Sequence, residues 1–191
     1  MELGTKCVQE GYQPKSGDPR VLPLFQSTTF VYDTPEQLAD IFNLTDPGYM
    51  YSRLGNPTCD ALERKVAALE GGAAAISASS GMSAILMAVA NVCSAGDNII
   101  SISKIYGGTF NLFNVSLRKL GIDCRFIDSD ASIEEIESLI DDRTKLIFGE
   151  SVSNPAMEVL DYAKLVPICR KYGVLLVVDN TLTTPILHRP F

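Results

Sequence analysis

Four short stretches of the 191-residue sequence put ligand-binding groups just after apolar runs: SSGMSA (79–84), KIYGGTF (104–110), GESVSNP (149–155) and DNT (179–181). SSGMSA is a tight turn of small residues entering a helix, which leaves the Gly81 and Met82 N–H groups free at a helix N-terminus. Such a terminus accepts an anion, a phosphate above all. Taken alone, a plain strand-to-helix turn with Ser79 or Ser80 as N-cap is the commoner explanation. Tyr106 is followed by two glycines that leave its ring uncrowded, so it can stand in a crevice and stack on a flat ligand, although loop tyrosines more often pack on the surface. Asn154 precedes a proline and sits in extended or turn backbone, where it serves as a site amide or simply as an Asx turn. Glu150, nearby, reads as a solvated strand end.

Asp179 demands more explanation. Five apolar residues, VLLVV (174–178), precede it, and an ionised carboxylate at the end of a buried strand is costly without a cation. No Lys or Arg stands beside it in sequence, so its partner comes either from elsewhere in the fold or from a ligand. An anion-binding turn, an aromatic stacker and an unpaired carboxylate together describe a flat ligand with a phosphate at one end and a protonated ring nitrogen at the other. Pyridoxal 5'-phosphate has that description.

The elements that must hold these groups alternate between strand and helix. Residues 1–50 carry many turn formers, from Pro14 to Gly48, and predict an extended arm with one short helix near 35–43. CDALERKVAALE places Leu62, Val66 and Leu69 at i, i+4 and i+7 of a helix stopped by Gly71 and Gly72. AAAIS (73–77) then predicts a short buried strand. Next come a helix over 82–92, strand NIISIS, a helix near 109–119, strand CRFID and a helix opened by a Ser132/Glu135 capping box. Strand TKLIFGE, helix AKLVPICRKY and strand VLLVVD complete the series. Five such strands, apolar on both faces, predict an α/β fold with a mostly parallel sheet flanked by helices, and in open sheets of that class ligands bind beyond the carboxyl ends of the strands. The four stretches fall at that edge.

Composition narrows the function. With 46% hydrophobic residues the chain can bury a sizeable core, and a net charge of −7 without clustered Lys or Arg argues against nucleic acid. Five cysteines without a CxxC pair and a single histidine, His188, make no recognisable metal site, and no apolar run approaches membrane-spanning length. With no secretory signal, reducing cytoplasm is the expected compartment. The glycine fingerprints of dinucleotide and P-loop sites are both absent, which speaks against a nicotinamide-dependent oxidoreductase.

YSRLGNPT (51–58), SSGMSA, YGGTF (106–110), ESVSNP (150–155) and VVDNT (177–181), with PLFQSTTF near the start, together resemble the Cys/Met-metabolism family of pyridoxal-phosphate enzymes, in order and spacing, over almost the whole chain. The resemblance implies the fold-type-I, aminotransferase-like architecture, with residues 1–56 as arm and interface segment and 57–191 as the N-terminal part of an incomplete large domain. It implies that Gly81 and Met82 give amides to the cofactor phosphate, Tyr106 stacks on the ring and acts as acid or base, and Asp179 binds the ring nitrogen. Asn154 would approach the ring hydroxyl and Thr181 line the site. Tyr51 and Arg53 would reach the phosphate of a neighbouring subunit in a homo-oligomer, expected to be a dimer of dimers with shared sites; a planar guanidinium suits that task.

Family chemistry eliminates or replaces a group at the β or γ carbon of a sulfur amino acid or an acylated homoserine. GGTFNLF and QSTTFVYDT are most similar to O-acetylhomoserine sulfhydrylases, which join that substrate to sulfide or a thiol to give homocysteine or methionine. Gly108 stands where methionine γ-lyases typically carry cysteine, which makes cystathionine or methionine γ-lyase the second choice. The family's Schiff-base lysine falls roughly two dozen residues past the aspartate matching Asp179. Twelve residues follow Asp179 here, so the lysine is expected to lie beyond Phe191. On this reading the chain is the N-terminal portion of a longer enzyme, or a non-catalytic assembly module, and is inactive alone.

Overall fold

The computed structural model describes all residues, 1–191, and divides into two compact units, one of residues 1–77 with Phe191 and one of residues 78–190. In the first, α1 (Leu3–Gln9) packs against α3 (Pro57–Glu70), and α2 (Pro35–Phe42) lies between them in sequence. The two longer helices start for legible reasons. Thr34 and Asn56 accept hydrogen bonds from the Gln37 and Thr58 amides, and a proline occupies the first turn of each. Gly71 ends α3 in the left-handed conformation, at φ 80°. The helix of residues 3–9 was not anticipated; it has no side-chain cap and buries nothing. Nor does α3 bury its apolar stripe, since Leu62 and Val66 are exposed. AAAIS forms no strand: three alanines offer little apolar area, nothing pairs with them, and Ile76 is exposed.

The second unit carries the sheet, with four strands rather than five. After α4 (Gly81–Val92) come β1 (Asn98–Ile102) and a helical stretch made of α5 (Gly107–Asn111), one π-helical turn (Leu112–Ser116) and α6 (Leu117–Lys119). β2 (Asp123–Ile127), α7 (Ile133–Ser138), β3 (Thr144–Glu150), α8 (Tyr162–Tyr172), β4 (Leu175–Asp179) and α9 (Thr184–Leu187) follow. All pairings are parallel, in the order β2-β1-β3-β4. This is the mostly parallel α/β sheet that the alternation predicts, and the Ser132/Glu135 capping box forms as read.

β1 and β3 are central, which is why their runs are apolar on both faces: Ile99, Ile100, Leu146, Ile147 and Phe148 are buried. Phe113 meets Phe148 edge-on with centroids 4.9 Å apart. β4 behaves differently. It pairs with β3 alone, its other edge is unpaired, and its residues are exposed or half-buried. Within residues 1–191 the strand expected to be buried before Asp179 is thus half-buried.

Candidate functional site

β1 connects onward to β2 on one side of the sheet while β3 lies on the other, so the loops leaving β1 and β3 diverge and open a crevice at the carboxyl edge. A cavity of about 320 Å³ occupies it. Six of the sequence-derived residues line this one space: Gly81, Met82, Tyr106, Asn154, Asp179 and Thr181. Tyr51 and Arg53 belong to the other unit, where Tyr51 bridges to Thr29 and the Arg53 guanidinium lies 5.3 Å from the Tyr51 ring centre.

Each wall has a local cause. Ser80 caps α4, its Oγ accepting from the Ser83 amide at 3.1 Å, so the plain N-cap reading holds. The cap leaves the amides of Gly81 and Met82, at the first two helical positions, without an acceptor inside the helix. Cap and anion site are thus compatible in one turn. Tyr106 precedes α5 and is 51% exposed. Its ring passes over Gly108 so closely that a Cβ there would stand 2.6 Å from ring atom Cε1 and 3.3 Å from Met82 Sδ. Only a residue without a side chain lets the ring lie where it does.

Asp179 ends β4, and its Oδ1 accepts from both the amide (2.9 Å) and the hydroxyl of Thr181. Both contacts fall on one oxygen, and Oδ2 accepts none. Asp179 is half-buried, not enclosed as its apolar run suggested. The burden of desolvation falls on a residue sequence reasoning passed over. Glu150, directly across from Asp179 in the β3–β4 register, is 7% exposed and lines the same cavity. Its Oε1 accepts from the Tyr106 amide at 2.8 Å and its Oε2 from the Asn154 amide at 3.0 Å. Burial pushes its carboxyl above the ordinary range, the two N–H groups pull it back, and the Asp179 charge raises it again. The expected solvated strand end is thus a buried carboxylate. Thr109, fully buried and also lining the cavity, carried no sequence signal.

The lining holds two carboxylates and no Lys, Arg or His. Its charge favours a ligand with a cationic part beside the strand ends, and the α4 terminus favours one with an anionic part. A ring with a protonated nitrogen and a phosphate fits both.

The model of the Cys/Met metabolism PLP-dependent enzyme family matches residues 4–191. The chain belongs to that family. A homocysteine/cysteine synthase of Kluyveromyces lactis is 45% identical over 172 residues, covering 88% of this chain and 38% of the relative. O-acetyl-L-homoserine sulfhydrylase 1 of Thermus thermophilus is 42% identical, covering 95% of this chain and 43% of its own length. Among solved structures, a putative O-acetylhomoserine (thiol)-lyase of Campylobacter jejuni, carrying N'-pyridoxyl-lysine-5'-monophosphate, matches with a TM-score of 0.95 and 38% identity, over all of this chain and 47% of the other. The chain thus spans less than half the length of these Cys/Met-metabolism relatives, and the fold is the partial pyridoxal-phosphate α/β fold that the resemblance implied.

Proposed function

We propose that the cavity is the pyridoxal-phosphate cradle of a γ-replacement enzyme that exchanges the acetate of O-acetyl-L-homoserine for sulfide or a thiol, giving homocysteine or methionine. The observation that carries this reading is the convergence, at one sheet edge, of a free helix N-terminus, an aromatic face and a carboxylate oxygen that receives no donor from the protein. The relatives' names supply the substrate class.

Bound there, pyridoxal phosphate would supply an electron sink for the charge left when a proton departs from the substrate Cα. The chain's own residues have separate tasks. The Gly81 and Met82 amides hold the phosphate through the positive end of α4. Asp179 Oδ2 accepts the ring N–H and keeps that nitrogen protonated, with Thr181 fixing the carboxylate through Oδ1. Tyr106 covers the ring face and excludes water, and its hydroxyl moves a proton to or from the substrate. Asn154 donates toward the ring hydroxyl. In the exchange the Cγ–O bond to acetate breaks and a Cγ–S bond forms.

Tyr51 and Arg53 serve the phosphate of a second copy in a homo-oligomer with shared sites, Arg53 being held over the Tyr51 ring. Five free thiols fit the reducing cytoplasm, and no helix is long and apolar enough to cross a membrane. A γ-lyase is the weaker reading, since a cysteine at 108 would have to displace the Tyr106 ring.

The test is to supply the natural gene product with cofactor, O-acetyl-L-homoserine and sulfide. Equimolar acetate and homocysteine are expected. Release of 2-oxobutanoate and ammonia from methionine or cystathionine, without sulfide incorporation, would replace this proposal with the lyase.

A further inference from the structure

We infer that Glu150 is a positioning residue of the site: one buried carboxylate clamps the backbone at Tyr106 and Asn154, fixing the spacing of the ring wall and the amide wall around the ligand. The inference rests on reading the cavity as a pyridoxal-phosphate site. Glu150 is 7% exposed, and each oxygen receives its own backbone N–H, from loops that follow different strands. No side chain shares the task. Glu150 also lines a second, smaller cavity together with Lys104, Glu158, Asp161 and Lys164. Lys104 is paired with Glu158 at 2.6 Å, and Lys164 donates to the Ser129 and Ala131 carbonyls. Asp161 caps α8.

A buried carboxylate with a like charge across from it is an expensive way to fill space, because a leucine or glutamine would avoid the desolvation. What it provides is two acceptor oxygens in one plane, a fork that joins two N–H groups of separate loops. Glutamine has the same shape but only one such oxygen; its NH₂ would face a backbone donor. Substitution therefore leaves one of the two loops untied.

The experiment uses the natural gene product and its Glu150→Gln variant, with hydrogen exchange read at the Tyr106 and Asn154 amides and at the β3 amides as an internal reference. Affinity is read separately with pyridoxamine 5'-phosphate, which needs no lysine for binding. In the wild type both loop amides are expected to be protected. In the variant, protection at one of them falls at least about tenfold while β3 is unchanged, and the dissociation constant for pyridoxamine 5'-phosphate rises about tenfold. A merely structural role would lower the melting temperature and leave both local exchange and affinity at wild-type values, and that result overturns the inference. So does free exchange of both amides in the wild type, a measurement that needs no variant to fold. If the wild type fails to bind pyridoxamine 5'-phosphate, the proposed function falls, while the exchange data still decide whether the clamp exists.

Discussion

Replacing Gly108 with alanine would put a methyl carbon 2.6 Å from Tyr106 Cε1, 3.1 Å from Cδ1 and 3.3 Å from Met82 Sδ. Carbon atoms rest about 3.5–4.0 Å apart, so the ring must retreat by about 1 Å. It can, because Tyr106 is half exposed and swings outward without opening the core. The stability cost is therefore small, and alanine in the second position of α5 regains roughly 0.5–1 kcal/mol of backbone entropy. The melting temperature is expected to stay within a few degrees of wild type. The site should suffer more. Ring stacking is worth about 0.5–1.5 kcal/mol, which a displaced ring forfeits in part or whole, so pyridoxamine 5'-phosphate should bind roughly two- to twelvefold more weakly. Gly107→Ala is the control, since a Cβ there meets no atom within 4 Å and should change neither quantity. Fluorescence titration and thermal melts of the three proteins decide the matter. Equal affinity for Gly108→Ala and wild type would refute the claim that the observed ring position serves the ligand.

Three further outcomes are expected. Asp179→Asn keeps an acceptor but removes the charge opposite the ring nitrogen; a charge-assisted bond is worth about 1.5–3 kcal/mol, so affinity for pyridoxamine 5'-phosphate should fall roughly 10- to 150-fold, and a change under twofold in titration would contradict the assignment. At the opposite edge of the sheet, Arg125 holds the Asp141 carboxyl well below the ordinary range through a 2.6 Å contact, with Asn98 and the Arg143 amide adding hydrogen bonds. A depressed pKa contributes stability above the unfolded value, near 4, and loses it as pH falls further, so the urea-midpoint gap between wild type and Arg125→Met should shrink below about pH 4; a gap constant with pH would refute the pairing. Phe148→Ala should cost about 3–5 kcal/mol in urea unfolding, because its ring is buried between strand and helix and loses the edge contact to Phe113, and a loss under 2 kcal/mol would mean that the core collapses around the gap.

What the sequence reveals and what it hides follow from the same physics. NIISI and TKLIFGE could be read as strands because a central parallel strand must be apolar on both faces, and turn residues bound both runs. LLVVD reads the same way but is only half-buried within residues 1–191, since the burial of a strand is decided by partners far away in sequence. AAAIS failed for the opposite reason: its local pattern is apolar, but alanines bury too little area to draw a pairing partner. The helix of residues 57–70 was read from its apolar spacing and its glycine stop, whereas Leu3–Gln9 has no side-chain cap and buries nothing. Tyr106, Asn154, Asp179 and Thr181 were legible as candidates because they follow strand ends, and Gly81 and Met82 because a small-residue turn opens a helix there, although AAAIS before it forms no strand. Glu150 was not, because a charge at a strand end normally points to water, and only the two loops folding back over it turn that position into an interior.

That geometry also explains why the site carries two carboxylates where one would hold a cation. Glu150 and Asp179 stand opposite each other on adjacent strands, and the Asp179 charge makes ionisation of Glu150 harder. Were both unpaired, one would take up a proton and the site would lose its charge. Instead the protein satisfies both oxygens of Glu150 with its own backbone and only Oδ1 of Asp179 with Thr181. The uncompensated negative charge is thereby concentrated on a single oxygen, Asp179 Oδ2, among lining residues that include no Lys, Arg or His. A ligand bringing one cationic N–H to that point relieves the repulsion across the strands as well as pairing with Asp179. The geometry thus favours a protonated ring over a neutral one, and it couples ligand charge to the loops that Glu150 ties together.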